Sequence, residues 1–364
     1  MNPKLKILPL KDWIDTGGMP FVISGPCSAE TEEQMLKTAM QLKEIGKVHV
    51  LRAGIWKPRT RPNDFEGVGE KGLEWLKKAK KSTGLLTSVE VADANHVELA
   101  LKHNVDILWV GARTVVNPFS VQAIAEALTG VDVPVMIKNP LNPDLKLWLG
   151  AIERLNTIGI NKLIAVHRGF HYFEKSPFRN APMWEIPIEL KRVAQGLPII
   201  VDPSHICGNR ELLESISQKA LDLEMDGLMI ESHHDPDAAL TDSAQQISPH
   251  ELKELLENLI IRNRKGNIDF QHKLEGLRTE IDKLDGELLQ ILSKRMEIID
   301  EIGEYKRNND ITILQMKRWA GIIKDRLAIG THMGLDKFFL QKLLHLIHKE
   351  SINRQEDIFL NEGN

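Results

Sequence analysis

Cysteine is nearly absent: only Cys27 and Cys207 occur in 364 residues. Two thiols cannot build a disulfide framework in a chain this long, which fits a reducing compartment and leaves ligation, catalysis or plain burial as their roles. No run of eighteen apolar residues occurs, and the start "MNPKLKILPLKDWID" has neither a sustained apolar stretch nor a small-residue cleavage pattern. Neither a spanning helix nor a secretory signal is therefore expected, and the cytoplasm is the expected location. A basic excess is missing too: the formal charge is -4, so no nucleic-acid or membrane partner is expected and any anion site must be local. The zinc-protease pattern HExxH is absent, and the one stretch of dinucleotide-binding type, "GVGEKG" at Gly67–Gly72, follows a loop and not a strand.

What is present is alternation. Eight short apolar runs, "FVISG", "VHVLRAG", "LLTSVEV", "ILWVGAR", "PVMIKN", "KLIAVHRG", "PIIVDPSH" and "GLMIESHH", are separated by segments with helical spacing such as "TEEQMLKTAMQLKEIG" and "NRELLESISQKALDLE". Repeated βα units predict a parallel sheet, and eight of them in one domain predict a closed (β/α)8 barrel from about Phe21 to Arg262. The fold class is thus α/β, a barrel followed by a small all-α domain. The domains expected are 1–262 (barrel), 263–269 (linker, within "IIRNRKGNID") and 270–364 (helices).

Barrel chemistry sits at the carboxyl ends of strands. Those ends read Cys27, Arg52, Glu90, Arg113, Lys138, His167 with Arg168, Asp202 with His205, and Glu231. One subset is cationic: Arg52, Lys57, Arg59, Arg113, Lys138 and Arg168. Guanidinium groups suit carboxylates and phosphates, so substrates bearing several negative charges are expected. The other subset, Cys27, His205, Glu231 and Asp242, offers a thiolate, an imidazole and two carboxylates, suited to one divalent ion: manganese, iron, cobalt or zinc. Such an ion would polarise a carbonyl oxygen. His233, His234, Asp235 and Asp237 are read either as supporting residues or as a solvated loop.

The motifs "GPCSAE", "LRAGIWKPRTRP", "GAR", "KNP", "HRGF", "DPSH" and "ESHHDP…LTD" stand in this order over roughly 230 residues. Together they resemble the 3-deoxy-D-arabino-heptulosonate 7-phosphate (DAHP) synthases, in particular the short-barrel branch. The resemblance implies metal-dependent condensation of phosphoenolpyruvate with erythrose 4-phosphate, the first step toward aromatic amino acids. It implies metal ligation by Cys27, His205, Glu231 and Asp242, and phosphoenolpyruvate binding by Arg52, Lys57, Arg113, Lys138 and Arg168. Arg59 and Thr60 of "KPRT" would meet the phosphate of erythrose 4-phosphate. Lys57 is the candidate proton donor.

Beyond the linker the strand signals end. From Phe270 to Arg307, apolar Leu274, Leu277, Ile281, Leu284, Leu288, Ile291, Ile298, Ile302 and Tyr305 recur at three and four spacing. One long helix of about 60 Å is expected, too apolar to stand alone, with shorter helices near 315–329 and 336–355. Arg295 and Lys306, eleven residues apart, share a face, whereas Arg278 lies about 25 Å along the axis and about 100° around it. A common pocket would therefore borrow Arg278 from a second chain, in a homodimer through the helical domain.

"LRTEIDKLDGELLQILSKRMEIIDEIGEYK" and "LIHKESINRQ" resemble the all-helical chorismate mutases. By that match Arg278, Arg295, Lys306, Arg318, Ser351 and Gln355 line the site, with no cofactor. Gln315 stands where many relatives have an acidic residue, and Trp319 where they have a glutamate that receives the substrate hydroxyl. A helical domain on a synthase also suggests feedback from prephenate or chorismate. Alternatives are a tail that only dimerises or regulates, and a metal-dependent aldolase of other sugar phosphates.

Overall fold

The computed structural model describes residues 4–57, 65–173, 175–262 and 268–360. The chain divides into two compact units, 1–262 and 263–364.

In the first unit eight parallel strands close on themselves in chain order. They are β1 (Phe21–Gly25), β2 (Val50–Ala53), β3 (Leu86–Val91), β4 (Ile107–Val110), β5 (Val135–Lys138), β6 (Leu163–His167), β7 (Ile199–Val201) and β8 (Gly227–Glu231). Around them run α1 (Glu32–Ile45), α2 (Lys71–Thr83), α3 (Ala94–Lys102), α4 (Ala112–Val115), α5 (Pro118–Ala127), α6 (Leu145–Thr157), α7 (Glu185–Val193), α8 (Pro203–Cys207), α9 (Leu213–Asp222) and α10 (Pro249–Asn258). Several helices start where a short polar side chain accepts from the first-turn backbone: Thr31, Asp93, Asn117, Asp144 and Ser248 cap α1, α3, α5, α6 and α10.

Alternation along the strands sorts the two faces. Phe21, Ile23, Val50, Ile107, Trp109, Met136, Ile164, Val166, Ile200 and Met229 fill the barrel interior, while the intervening residues pack against the helices. Two residues beyond this floor the same inward parity reaches Arg52, Lys138, Arg168, Asp202 and Glu231. One period of two thus sets a charged layer directly on an apolar one.

Three strands stop earlier than their sequences suggest. β1 ends at Gly25, whose φ of +148° brings it so close to β2 that a Cβ there would lie 2.1 Å from the Arg52 carbonyl oxygen; Pro26 then offers no ladder donor. Cys27 is therefore on a loop. β4 ends at Val110 because α4 begins at once, placing Arg113 on a helical turn. β7 ends at Val201 because Asp202 caps α8, accepting from the His205 backbone N–H at 3.0 Å. His205 is helical.

The second unit consists of α11 (Ile268–Arg307), α12 (Met316–His332) and α13 (Lys337–Leu360). The long helix begins inside the stretch read as linker. Gly303 is the one buried residue of α11, and a Cβ there would meet Ile358 at 2.8 Å, so α11 and α13 pack closely at this point. Leu277, Ile281, Leu284, Leu288 and Ile291 repeat at heptad-like spacing, yet each is at least 50% exposed in the single chain.

Candidate active sites

The barrel mouth is built on Trp109. Its indole N–H donates to Glu90 Oε2 at 3.0 Å, and its ring lies 5.1 Å beneath the Arg52 guanidinium and 6.0 Å from Lys138 Nζ. Buried cations need buried anions. Arg52 meets Glu231 at 3.0 Å, and Lys138 meets Asp202 at 2.8 Å. Arg168 is held by its neighbours: its backbone N–H donates to Asn139 Oδ1 at 2.7 Å and its guanidinium to Asn180 Oδ1 at 2.8 Å. Burial lowers the Arg168 pKa to about 10. Arg113 is exposed on the rim.

One thiol and two carboxylates converge. Donor atoms of Cys27, Glu231 and Asp242 lie within 4.8 Å of one another, with Cys27 Sγ 3.3 Å from Asp242 Oδ2. His205 stands beside them, its Nε2 3.9 Å from Glu231 Oε1 and its Nδ1 2.9 Å from Asp202 Oδ2. Lys57 Nζ lies 2.7 Å from Cys27 Sγ and 3.1 Å from the Cys27 carbonyl oxygen. Burial, with Glu231 adding, pushes the Cys27 thiol up to about 12. Burial would also raise Asp202, but His205 and Lys138 outweigh it and hold the carboxyl well below its ordinary range.

This set fits a divalent cation. The thiol of Cys27, on the loop after β1, and the carboxylates of Glu231, at the end of β8, and Asp242, beyond it, converge on one point, and Asp202 holds His205 Nδ1 so that Nε2 is the nitrogen nearer Glu231. Asp242 reaches the point only through a left-handed backbone, φ 48° and ψ 37°, which a non-glycine residue adopts at some strain.

Of the acidic and imidazole crowd after β8, only Glu231 and Asp242 join this cluster. His233 stacks on His234 with ring centroids 4.8 Å apart and approaches Glu30 at 3.7 Å, and Asp237 sits at the surface, paired with Arg210 at 2.6 Å. Arg59 and Thr60 lie outside the described residues.

Some contributors escape a reading of strand ends. Arg179 donates to Asp242 at 2.9 Å and to Gln245 at 2.7 Å, and Gln245 donates to Glu231 Oε2 at 2.7 Å. Gln246 accepts from the Cys27 backbone N–H at 2.9 Å. These neutral amides and a loop arginine carry no strand-end signal. Asp202 did: it continues the inward parity of Ile200.

In the helical unit, Arg295 donates to Ser351 Oγ at 2.7 Å and Lys306 to Gln355 Oε1 at 3.1 Å. Ser351 and Gln355 are buried. α11 and α13 thus bring two cations and their two neutral partners to one face. Arg278 stays out, exposed and 3.5 Å from Glu275, and Arg318 and Gln315 are also exposed. Within one chain, then, neither Arg278 nor Arg318 is covered by the packing of α11 on α13. Trp319 stacks flat on His348, with ring centroids 3.5 Å apart.

Residues 8–263 match the DAHP synthetase I family, and residues 277–356 match chorismate mutase type II. A phospho-2-dehydro-3-deoxyheptonate aldolase from Thermotoga maritima is 33% identical over 258 residues, 71% of this chain and 74% of that protein. A 2-dehydro-3-deoxyphosphooctonate aldolase from Variovorax paradoxus is 26% identical, over 66% of this chain and 89% of its own length. The crystal structure of a DAHP synthase from Thermotoga maritima superposes with a TM-score of 0.61 at 31% identity, covering 71% of this chain and 75% of that one. A truncated form of the Thermotoga maritima synthase gives 0.58 at 31% identity, covering 67% and 88%.

Proposed function

Because the chain belongs to the DAHP synthetase I family and carries a chorismate mutase type II domain, we propose that this bifunctional enzyme of the shikimate pathway joins phosphoenolpyruvate to erythrose 4-phosphate in its barrel and converts chorismate to prephenate in its helices. The observation that carries the first half is the convergence of Cys27, Glu231 and Asp242 beside Lys57, Arg52 and Lys138.

Cys27, His205, Glu231 and Asp242 hold one divalent ion, Mn, Fe, Co or Zn. When bound, that ion supplies Lewis-acid polarisation of the aldehyde carbonyl. The rest is the work of side chains. Arg52, Lys57, Arg113, Lys138 and Arg168 hold phosphoenolpyruvate, and Arg59 and Thr60 hold the phosphate of the aldehyde, so two mutually repelling anions are fixed at reacting distance. The enolpyruvate methylene carbon bonds to the aldehyde carbon, and Lys57 delivers a proton to the aldehyde oxygen. Water adds at the former enol carbon, and its C–O bond to phosphate breaks, releasing inorganic phosphate. The relatives that are phosphooctonate aldolases keep another sugar phosphate open as acceptor; the higher identity to the heptonate enzyme and the "KPRT" stretch favour the four-carbon aldehyde.

The mutase reaction is a pericyclic rearrangement and needs no proton transfer, only a compact dianion held with charge stabilised at the ether oxygen. Arg295 and Lys306 provide the cations, Lys306 with Gln355 face the ether oxygen, and Ser351 and Arg318 border the substrate. Gln315 stands at the rim. Arg278 is too far around α11 to join within its own chain, and it comes from the partner protomer. The exposed seam from Leu277 to Ile291 supports a homodimer through this domain. No described helix is long and apolar enough to cross a membrane, and we place the enzyme in the cytoplasm.

Because a mutase domain and a synthase domain share one chain, prephenate or chorismate bound to the helices is the expected feedback signal to the barrel. Chelator-stripped protein given both barrel substrates should regain phosphate release only when a divalent ion returns, and should convert chorismate throughout. Phosphate release without erythrose 4-phosphate would sink the synthase reading.

A further inference from the structure

The pocket assigned to chorismate is rich in donors and short of acceptors. Arg295 and Lys306 are cations, and Gln315 and Trp319 occupy the two positions where relatives carry carboxylates. An indole N–H can only donate, and Gln315, whose carboxamide oxygen can accept, is exposed at the start of α12. A ring hydroxyl entering this pocket finds donors for its oxygen but needs an acceptor for its proton.

The structure places one candidate there. Trp319 of α12 lies on the ring of His348 of α13, centroids 3.5 Å apart and planes within 7°, and His345 meets the edge of the same indole at 5.5 Å. His348, Ser351 and Gln355 succeed one another at three and four spacing on one face of α13. Ser351 and Gln355 already accept from Arg295 and Lys306, so His348 extends the row of substrate-facing groups by one turn. Its Nε2 is buried and has no hydrogen-bond partner. Burial, then Arg295, His345 and Lys306, lower the His348 pKa, which keeps the ring neutral near pH 7. A neutral imidazole has one donor and one acceptor nitrogen.

We propose that His348, fixed by its stack on Trp319, is the specificity-determining residue that recognises the ring hydroxyl of the substrate. The pair Trp319–His348 replaces a carboxylate with a neutral acceptor. That substitution leaves the cationic character of the pocket undiminished for a dianion, while still partnering the hydroxyl. The inference rests on the mutase reading above.

The test compares chorismate with the analogue bearing hydrogen in place of the ring hydroxyl, on the full-length wild type, His348→Phe and His348→Gln. Phenylalanine keeps an aromatic face for Trp319 and removes both nitrogens; glutamine restores a neutral acceptor. Wild type should favour chorismate over the analogue by about tenfold in kcat/KM, the size of one hydrogen bond. His348→Phe should erase that preference by lowering kcat/KM for chorismate alone, and His348→Gln should recover most of it. Barrel condensation and helix content in each variant report folding. A wild type indifferent to the hydroxyl overturns the inference whatever the variants do, as does a His348→Phe enzyme that keeps the preference or loses both substrates equally. A wild type that converts neither compound overturns the mutase reading itself.

Discussion

The two sites of this chain are assembled in opposite ways. In the barrel, a closed sheet in one chain lays a charged layer over an apolar floor, where Arg52 meets Glu231, Lys138 meets Asp202, and Asp202 meets His205, while Arg168 is held by amide oxygens. In the helical unit, Arg295 donates to Ser351 and Lys306 to Gln355, both neutral, Arg278 stays at the surface, and a seam of leucines and isoleucines faces outward. Sheet closure can finish a site within one protomer. In the helical unit Arg278 does not reach Arg295 and Lys306 within its own chain, so under the proposed homodimer assembly and catalysis become one problem.

That contrast can be broken in order of effect. Removing a cation from the helical site should act on chemistry most: Arg295→Ala is expected to lower kcat for chorismate by about a hundredfold to a thousandfold, the range for losing one preorganised donor, with condensation unchanged. Unchanged chorismate turnover would leave the helices a mere dimeriser.

Asp202→Asn removes the shared partner of Lys138 and His205, both at 2.9 Å or less. Breaking a buried pair typically costs about 3 to 5 kcal/mol. The barrel transition in a denaturation experiment should shift by that order, while the helical unit melts as before.

The seam is tested by Leu284→Glu. A charge on a surface that pairs with its own copy should give monomers by sedimentation, and mutase activity should fall with them because Arg278 of the partner subunit is lost. Full mutase activity in a monomer would refute the shared site. Saturating prephenate should then slow wild-type condensation with a coupling of about 1 to 3 kcal/mol, and the Leu284→Glu monomer should lose that response. The smallest effect is a control. Arg354 meets Asp300 at 2.6 Å, but both are about 40% exposed, so Arg354→Ala should shift stability by no more than about 1 kcal/mol.

Much of this was legible in the sequence, for identifiable reasons. Eight βα alternations and the three helices follow from apolar periodicity, and the inward charges follow from a period of two. Cys27, Arg113 and His205 were placed on strands although glycine, an immediate helical turn and an aspartate cap end those strands first. Arg179, Gln245 and Gln246 escaped notice because loop residues brought in by folding have no periodic signature. Trp319 and His348, on successive helices, stand 29 residues apart in the chain, and only packing brings the rings together.

The central claim is that Cys27 ligates a divalent ion needed for condensation. Cobalt titrated into metal-free protein reports it directly. The expected result is a near-ultraviolet thiolate-to-cobalt absorption that rises with phosphate release from phosphoenolpyruvate and erythrose 4-phosphate, and that disappears in Cys27→Ala. Full condensation in metal-free protein, or an identical cobalt spectrum in Cys27→Ala, would contradict it.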